Sequence, residues 1–257
     1  KVDSVIALLE DHGIKQGDKV AILSSNQPHW GVAFFAIVTM GAVAVPILPD
    51  FSESEIENIL THSEAKAMFV SESLYRKISK MSIATLAVRV VIEQFALLPD
   101  AAGAVDVAGL ASSLSDHGAR RKEYPVDKHD LASIIYTSGT TGKSKGVMLT
   151  HQNLIFSAEG AGKIHPVDTS DSMLSVLPLS HTYENTLGLI LPLMYGASVN
   201  YLRKPPVASV LIASLQRVKP TIMLTVPLII EKVYKGKILP TFNAKALTRT
   251  LYKCAPA

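Results

Sequence analysis

The chain holds one cysteine, Cys254, among 257 residues. A single thiol excludes a disulfide framework and fits a reducing, cytoplasmic setting. Charge is sparse as well. Charged side chains make up 18% of the sequence, the net charge is +3 and the basic residues form no long run, so nucleic acid is not an expected partner. Metal-ligand spacing is missing. His117, His129, His151 and His165 stand apart, without a cysteine or carboxylate at ligand spacing, and are read as surface or cap residues. The longest apolar stretch, Val32 to Leu48, is broken by Gly41 and Pro46 and falls short of a comfortable membrane span. A buried helix followed by a buried strand is the expectation there. The N-terminus opens in an amphipathic segment with no secretory signal, and neither repeats nor low-complexity tracts occur.

What the chain has in quantity is apolar substance. Hydrophobic residues make up 48%, enough for a substantial core in one large or two small domains and too much for extensive disorder. Apolar spacing predicts a helix over Val2 to His12 with Gly13 as its stop. Lys19 to Leu23 is a strand, Asn26-Gln27-Pro28 starts a helix that runs to Met40, and Val43 to Val45 is a strand closed by Pro46. That strand–helix–strand unit implies a parallel pair. Ser52 with Glu55 three residues on is a capping box, and Ile56, Ile59 and Leu60 form the stripe of the helix it opens. Ala67 to Val70 is a strand, Leu74 to Lys80 helical and Val88 to Ile92 strand-like. Gln94 to Pro125 is read as a surface excursion with a short helix near Leu110.

One stretch stands out. Ile134 to Tyr136 and Val147 to Leu149 read as short buried strands around a loop with no apolar side chain. Thr137, Ser138, Thr140 and Thr141 bring hydroxyl donors, Lys143 and Lys145 bring positive charge, and Gly139, Gly142 and Gly146 let a ligand approach the amides. Together they form a nest for a polyphosphate. A plain surface hairpin is the competing reading. The Walker pattern fails, because its first glycine falls at Thr137 and the residues after Lys145 are strand-like.

Further on, Thr150 is an N-cap for a helix through Gly160, and Ser172 to Leu177 is a strand ended by Pro178. The turn Pro178-Leu179-Ser180-His181-Thr182-Tyr183-Glu184 follows, at a strand end of the kind where α/β sheets place binding residues. On its own, His181 reads as a satisfied structural histidine, and Glu184 as an acid favoured near a helix N-terminus. Leu187 to Tyr195 is a helix stopped by Gly196, and Ala197 to Tyr201 is a strand. A helix over Pro206 to Val218 buries Val207, Val210, Leu211, Ser214, Leu215 and Val218. Thr221 to Thr225 is a strand, Val226-Pro227 opens a helix to Lys235, and Pro240 to Tyr252 is helical.

Tyr136 through Val147 resembles the phosphate-binding signature of the adenylate-forming superfamily of acyl-CoA synthetases, luciferases and peptide-synthetase adenylation domains. In that signature an aromatic residue precedes T-S-G-[ST]-T-G, a variable residue and P-K-G-V. Only Ser144 departs, standing where the family has proline. Thr39 to Pro46 is similar to the family's K-A-G-A-x-Y-V-P turn and is read as structural. Pro178-Leu179-Ser180-His181 with Glu184 resembles the L-P-L-S-H-x-x-E form of bacterial long-chain fatty acyl-CoA ligases, and Lys219 to Pro227 resembles the segment that leads along the acyl wall.

The resemblance implies an α/β fold of layered, mostly parallel sheets flanked by helices, forming an incomplete N-terminal domain. Residues 1–125 would be a first α/β subregion and 126–257 the phosphate-loop and acyl-pocket subregion. It implies an ATP-dependent acid–thiol ligase that makes an acyl-adenylate and then an acyl-CoA, with ATP, Mg²⁺, a fatty acid and CoA as partners. Thr137, Ser138, Gly139, Thr140, Thr141, Gly142, Lys143 and Lys145 would hold the phosphates, with Thr140 or Thr141 beside Mg²⁺. His181, Tyr183 and Glu184 would line the substrate pocket. An aryl or amino acid substrate, and a non-catalytic nucleotide-binding module, are the alternatives. Peripheral membrane contact is compatible with a fatty acid, which partitions into lipid, although no anchor is read. The family's later motifs and its C-terminal domain are not found before Ala257. The main catalytic residues that the resemblance implies would therefore lie beyond Ala257, and the chain is expected to be a fragment that does not complete adenylation alone.

Overall fold

The computed structural model describes residues 1–98, 110–114, 122–137, 145–202 and 206–243. Helix α1 (Val2–Asp11) precedes β1 (Lys19–Leu23), α2 (Pro28–Thr39), β2 (Val43–Ile47), α3 (Glu53–His62), β3 (Ala67–Val70) and β4 (Val88–Val91). A short β5 (Ala96–Leu97) runs antiparallel to β4. It lies inside the stretch expected to be a surface excursion. β6 (Leu131–Thr137) and β7 (Lys145–Thr150) then complete a seven-stranded sheet of order β5-β4-β3-β1-β2-β6-β7. The pairs β4–β3, β3–β1, β1–β2 and β2–β6 are parallel, and only the two edge strands run against their neighbours. The sheet therefore takes strands from both sides of residue 125.

The inner strands are apolar along their whole length because both faces are covered. In β1, Val20 and Ile22 pack with α1 and α2 through Leu9, Trp30, Phe34 and Ile37, whereas Ala21 and Leu23 pack with α3 through Ile56, Ile59 and Leu60. β3 repeats the alternation, with Ala67 and Phe69 on the first face and Met68 and Val70 on the second. This is the two-residue period of a pleated strand. The Ser52 hydroxyl accepts from the Glu55 amide and the Glu55 carboxylate accepts from the Ser52 amide, so the predicted capping box is present.

Several expectations need correction. β7 is not buried: it is the sheet's outer strand, with Val147 43% and Met148 67% exposed. Its apolar residues look like core in sequence because hydropathy does not reveal which strand lacks a neighbour. Pro46 lies within β2, opposite Ile22, instead of closing it. The expected helix after β3 is a 3₁₀ segment, Glu72–Lys77. Leu110 to Leu114 is not helical; the Ser113 amide donates to the Phe95 carbonyl, tying this piece to the β5 edge.

The second half begins with α4 (His151–Ile164), capped at Thr150 as predicted and longer than expected. β8 (Ser172–Ser175), β9 (Ser198–Tyr201) and β10 (Ile222–Met223) form a smaller parallel sheet of order β10-β8-β9. Between β8 and β9 one helical run joins α5 (Thr182–Glu184), a π-helical segment (Asn185–Ile190) and α6 (Leu191–Tyr195). α7 (Ala208–Val218) buries Leu211 and Ser214, but Val207 stands outside its first turn and is 54% exposed. α8 (Pro227–Val233), a second π-helical segment (Tyr234–Ile238) and α9 (Leu239–Asn243) close the described chain. The rest of the expected tail helix, Cys254 and the last residue, Ala257, lie outside the described residues. Among the described residues, no helix is long and apolar enough to cross a membrane.

Candidate functional site

β6 runs parallel to β1, β2 and β3, so its last residue, Thr137, stands at the carboxyl end of the parallel strands, where α/β folds bind ligands. β7 returns from that end, and Thr137 faces Lys145 across the mouth of the hairpin. Both residues are exposed. Ser138, Gly139, Thr140, Thr141, Gly142 and Lys143 lie outside the described residues, as does Ser144. What can be described is how the mouth is held. The Tyr136 hydroxyl meets His62 Nδ1 at 2.7 Å, and the two rings sit edge to face with centroids 5.8 Å apart. Burial pushes the Tyr136 phenol above its ordinary range. A side chain at Gly146 would bring its Cβ within 2.8 Å of Ile134 Cγ2, so the close approach of β7 to β6 there requires glycine.

The same end of the molecule carries the junction between the two sheets. Asn26, from the loop after β1, is 6% exposed. Its Nδ2 donates to the Leu177 carbonyl at 2.6 Å and to Ser175 Oγ at 3.2 Å, and its Oδ1 accepts from the Leu179 amide at 3.0 Å. The carboxyl end of β8 is thereby fastened against that of β1. Gln27 extends the polar seam: its Nε2 donates to Ser24 Oγ at 2.9 Å and to Glu93 Oε1 at 3.1 Å.

The turn fastened by Asn26 leads into His181. The His181 amide donates to the Pro178 carbonyl at 2.9 Å, and the His181 side chain caps α5, Nδ1 accepting from the Tyr183 amide at 3.3 Å. His181 and Tyr183 are exposed, Tyr183 by 40%. Glu184 points the other way and is fully buried. Burial pushes its carboxyl up to about 7, and the nearby Ser175 hydroxyl and Val176 backbone draw it back only partway. Neither carboxyl oxygen has a hydrogen bond of good geometry. Burial, joined by the Glu184 charge, pushes the Tyr201 phenol up to about 12. The structure thus brings His181, Tyr183 and Glu184 onto one turn, with two members facing outward and the acid inward.

Asn26 and Ser175 were not singled out as site residues. The bond from Asn26 to Leu177 spans 151 residues, and no local pattern announces such a pairing. Among the described residues, no three His, Cys, Asp or Glu side chains gather to hold a metal. His151 begins α4 and is half-buried, with its pKa lowered by burial. His129 is exposed on a turn, His165 follows the end of α4, and His117 lies outside the described residues.

A mostly parallel sheet with a hydroxyl- and lysine-flanked hairpin at the carboxyl ends of its strands defines an α/β ligand-binding domain. The AMP-binding enzyme family matches residues 1–254, and the chain belongs to that family. It is 31% identical over 253 residues to the peroxisomal long chain acyl-CoA synthetase 6 of Arabidopsis thaliana, a match covering 96% of this chain and 36% of that protein. It is 31% identical over 225 residues to the long-chain-fatty-acid–CoA ligase FadD15 of Mycobacterium tuberculosis, covering 86% of this chain and 36% of the relative. Among solved structures, the inhibitor-bound N-terminal domain of FACL13 from Mycobacterium tuberculosis superposes with a TM-score of 0.74 at 23% identity, covering 91% of this chain and 56% of that one. The chain spans 36% of the length of these two curated relatives.

Proposed function

We propose that the complete polypeptide activates a long-chain fatty acid with ATP and transfers the acyl group to CoA. A carboxylate is a poor acyl donor because its leaving group would be oxide. Attack of the carboxylate oxygen on the α-phosphorus of ATP releases pyrophosphate and forms an acyl-adenylate. The CoA thiol then attacks the acyl carbon, and AMP leaves with the bonding pair. The protein's part in the first step is positioning and charge neutralisation.

The observation that carries this reading is the exposed Thr137–Lys145 mouth at the carboxyl end of the parallel sheet. The inter-sheet junction at the same end holds the His181–Glu184 turn. In this reading Lys145, with Lys143 and the hydroxyls of Thr137, Ser138, Thr140 and Thr141, grips the β- and γ-phosphates. Charge-assisted hydrogen bonds of this kind contribute about 1.5–3 kcal/mol each. Thr140 or Thr141 would help hold Mg²⁺, which would offset phosphate charge, and His181 and Tyr183 would face the acid. Sites of action are proposed to be a reducing compartment and the membrane surface from which a fatty acid is drawn.

The test is titration calorimetry with ATP. Lys145→Ala should weaken binding by about tenfold, the equivalent of about 1.4 kcal/mol, without lowering the melting temperature. Equal affinity in both proteins refutes the phosphate grip. The chain alone is proposed not to complete adenylation; ATP- and fatty-acid-dependent pyrophosphate release from it would overturn that part.

A further inference from the structure

Glu184 is a buried acid that the adenylation chemistry does not use. Neither of its oxygens makes a hydrogen bond of good geometry, although the Ser175 hydroxyl and Val176 backbone lie close. Buried polar groups are nearly always satisfied, and exceptions gather where a proton or a conformational change has a role. The packing around the acid is tight. A Cβ built at Gly188 would meet Glu184 Oε1 at 2.7 Å and Cδ at 2.8 Å, so the carboxyl lies flat over the π-helical segment. Such a segment inside a helix is itself a frequent mark of function.

The groups facing the carboxyl come from each packed element. β8 presents the Ser175 hydroxyl, the residue after it the Val176 backbone, β9 the Tyr201 phenol and the π-helical segment Gly188. From α2, Gly31 packs against Leu189 and the Tyr201 hydroxyl. Among the described residues no lysine, arginine or histidine forms an ion pair with Glu184. An ionised carboxylate here would be sealed from solvent without a countercharge, whereas a protonated one gains an O–H donor beside Ser175. Ser175 Oγ in turn accepts from Asn26, so a polar path runs from the first sheet through Ser175 to the acid.

We propose that Glu184 is a positioning residue that works as a neutral carboxylic acid, locking the turn of His181 and Tyr183 against the smaller sheet at Ser175 and Tyr201, and that loss of its proton releases that turn. The link to substrate rests on the ligase reading; the lock itself does not. Closed, the carboxyl resists ionisation; open, it ionises in the ordinary carboxylate range. Linkage then raises the opening equilibrium about tenfold between about pH 6 and about pH 8.5.

Hydrogen exchange followed by mass spectrometry tests this on the chain as it stands, with α3 as internal control. After correction for intrinsic pH dependence, exchange across residues 181–190 should quicken about tenfold over that interval in the wild type and stay flat in Glu184→Gln. The same rise in both proteins, or none in the wild type, overturns the proposal. If the glutamine variant does not fold, the wild type decides alone: exchange at 181–190 that quickens with pH while staying faster than that of α3 supports the lock, and exchange there no faster than that of α3 at every pH overturns it. No nucleotide or acid enters this assay, so its failure and that of the ligase reading are separable. In the complete polypeptide, the KM for fatty acid should climb with pH in the wild type and not in Glu184→Gln; an equal climb in both overturns the positioning role.

Discussion

Asn26→Ala removes the fastening between the two sheets. The asparagine amide satisfies the Leu177 carbonyl and the Leu179 amide at once, and Leu177 and Leu179 are 9% and 1% exposed. Alanine leaves two backbone groups without partners in a place solvent does not reach. Each such group costs about 1–3 kcal/mol, so the variant should lose roughly 2–6 kcal/mol. Against a total stability of about 5–15 kcal/mol that is a large fraction. For a chain of this length each kcal/mol shifts Tm by about 2–4 °C, so a fall of at least about 4 °C is expected. Asn26→Asp is the informative companion. It keeps the acceptor for Leu179, loses the donor to Leu177 and sets a carboxylate oxygen against a carbonyl. It should be no more stable than alanine, because a buried unpaired charge costs more than a missing bond. Differential scanning calorimetry gives both values, and exchange of the Leu179 amide shows whether the damage is local. An alanine variant melting within about 2 °C of the wild type would refute the reasoning.

Two more outcomes follow from the same structure. The folded Glu184 carboxyl titrates near 7, against an ordinary value of 4.5. The folded state therefore holds a proton that the unfolded state releases, and stability falls as pH rises from about 4.5 to about 7, by an amount on the order of 3 kcal/mol. Denaturant midpoints across that interval should show this slope in the wild type, and a Glu184→Gln variant with the same slope would contradict it. Thr150→Ala removes a capping box in which the Thr150 hydroxyl accepts from the Asn153 amide at 3.2 Å. The expected loss is about 1 kcal/mol, read as a lower urea midpoint, and no change would show that β7 alone directs the start of α4.

Much of the fold is legible in sequence where the deciding interactions are local. β1 and β3 stand at their expected residues, Pro28 begins α2, and Ser52 with Glu55 caps α3. In each case a short window contains both partners of the interaction. Errors arise where the partner is distant. Val147 and Met148 have the hydropathy of core residues, yet β7 has a neighbour on one side only. β5 has two residues, too few for a period to show, and exists because Val90 and Val91 offer it an edge.

The candidate site divides along the same line. The hairpin strands are readable because small, hydroxyl and basic residues between apolar runs have few other uses. The turn from Pro178 to Glu184 is readable as a turn, but not the direction of its side chains. Placed in order along the chain, His181, Tyr183 and Glu184 look like three members of one pocket wall. His181 is the cap and has extended backbone, φ −91° and ψ 135°, so the helical i to i+3 neighbourhood does not extend back to it and the acid need not share its surroundings. It lies instead over Gly188, one turn on, facing Ser175 and Tyr201. The physical consequence is a division of labour on one turn. Residues that meet solvent are available to a ligand, while the residue beneath them decides, by holding or losing a proton, how firmly they are held.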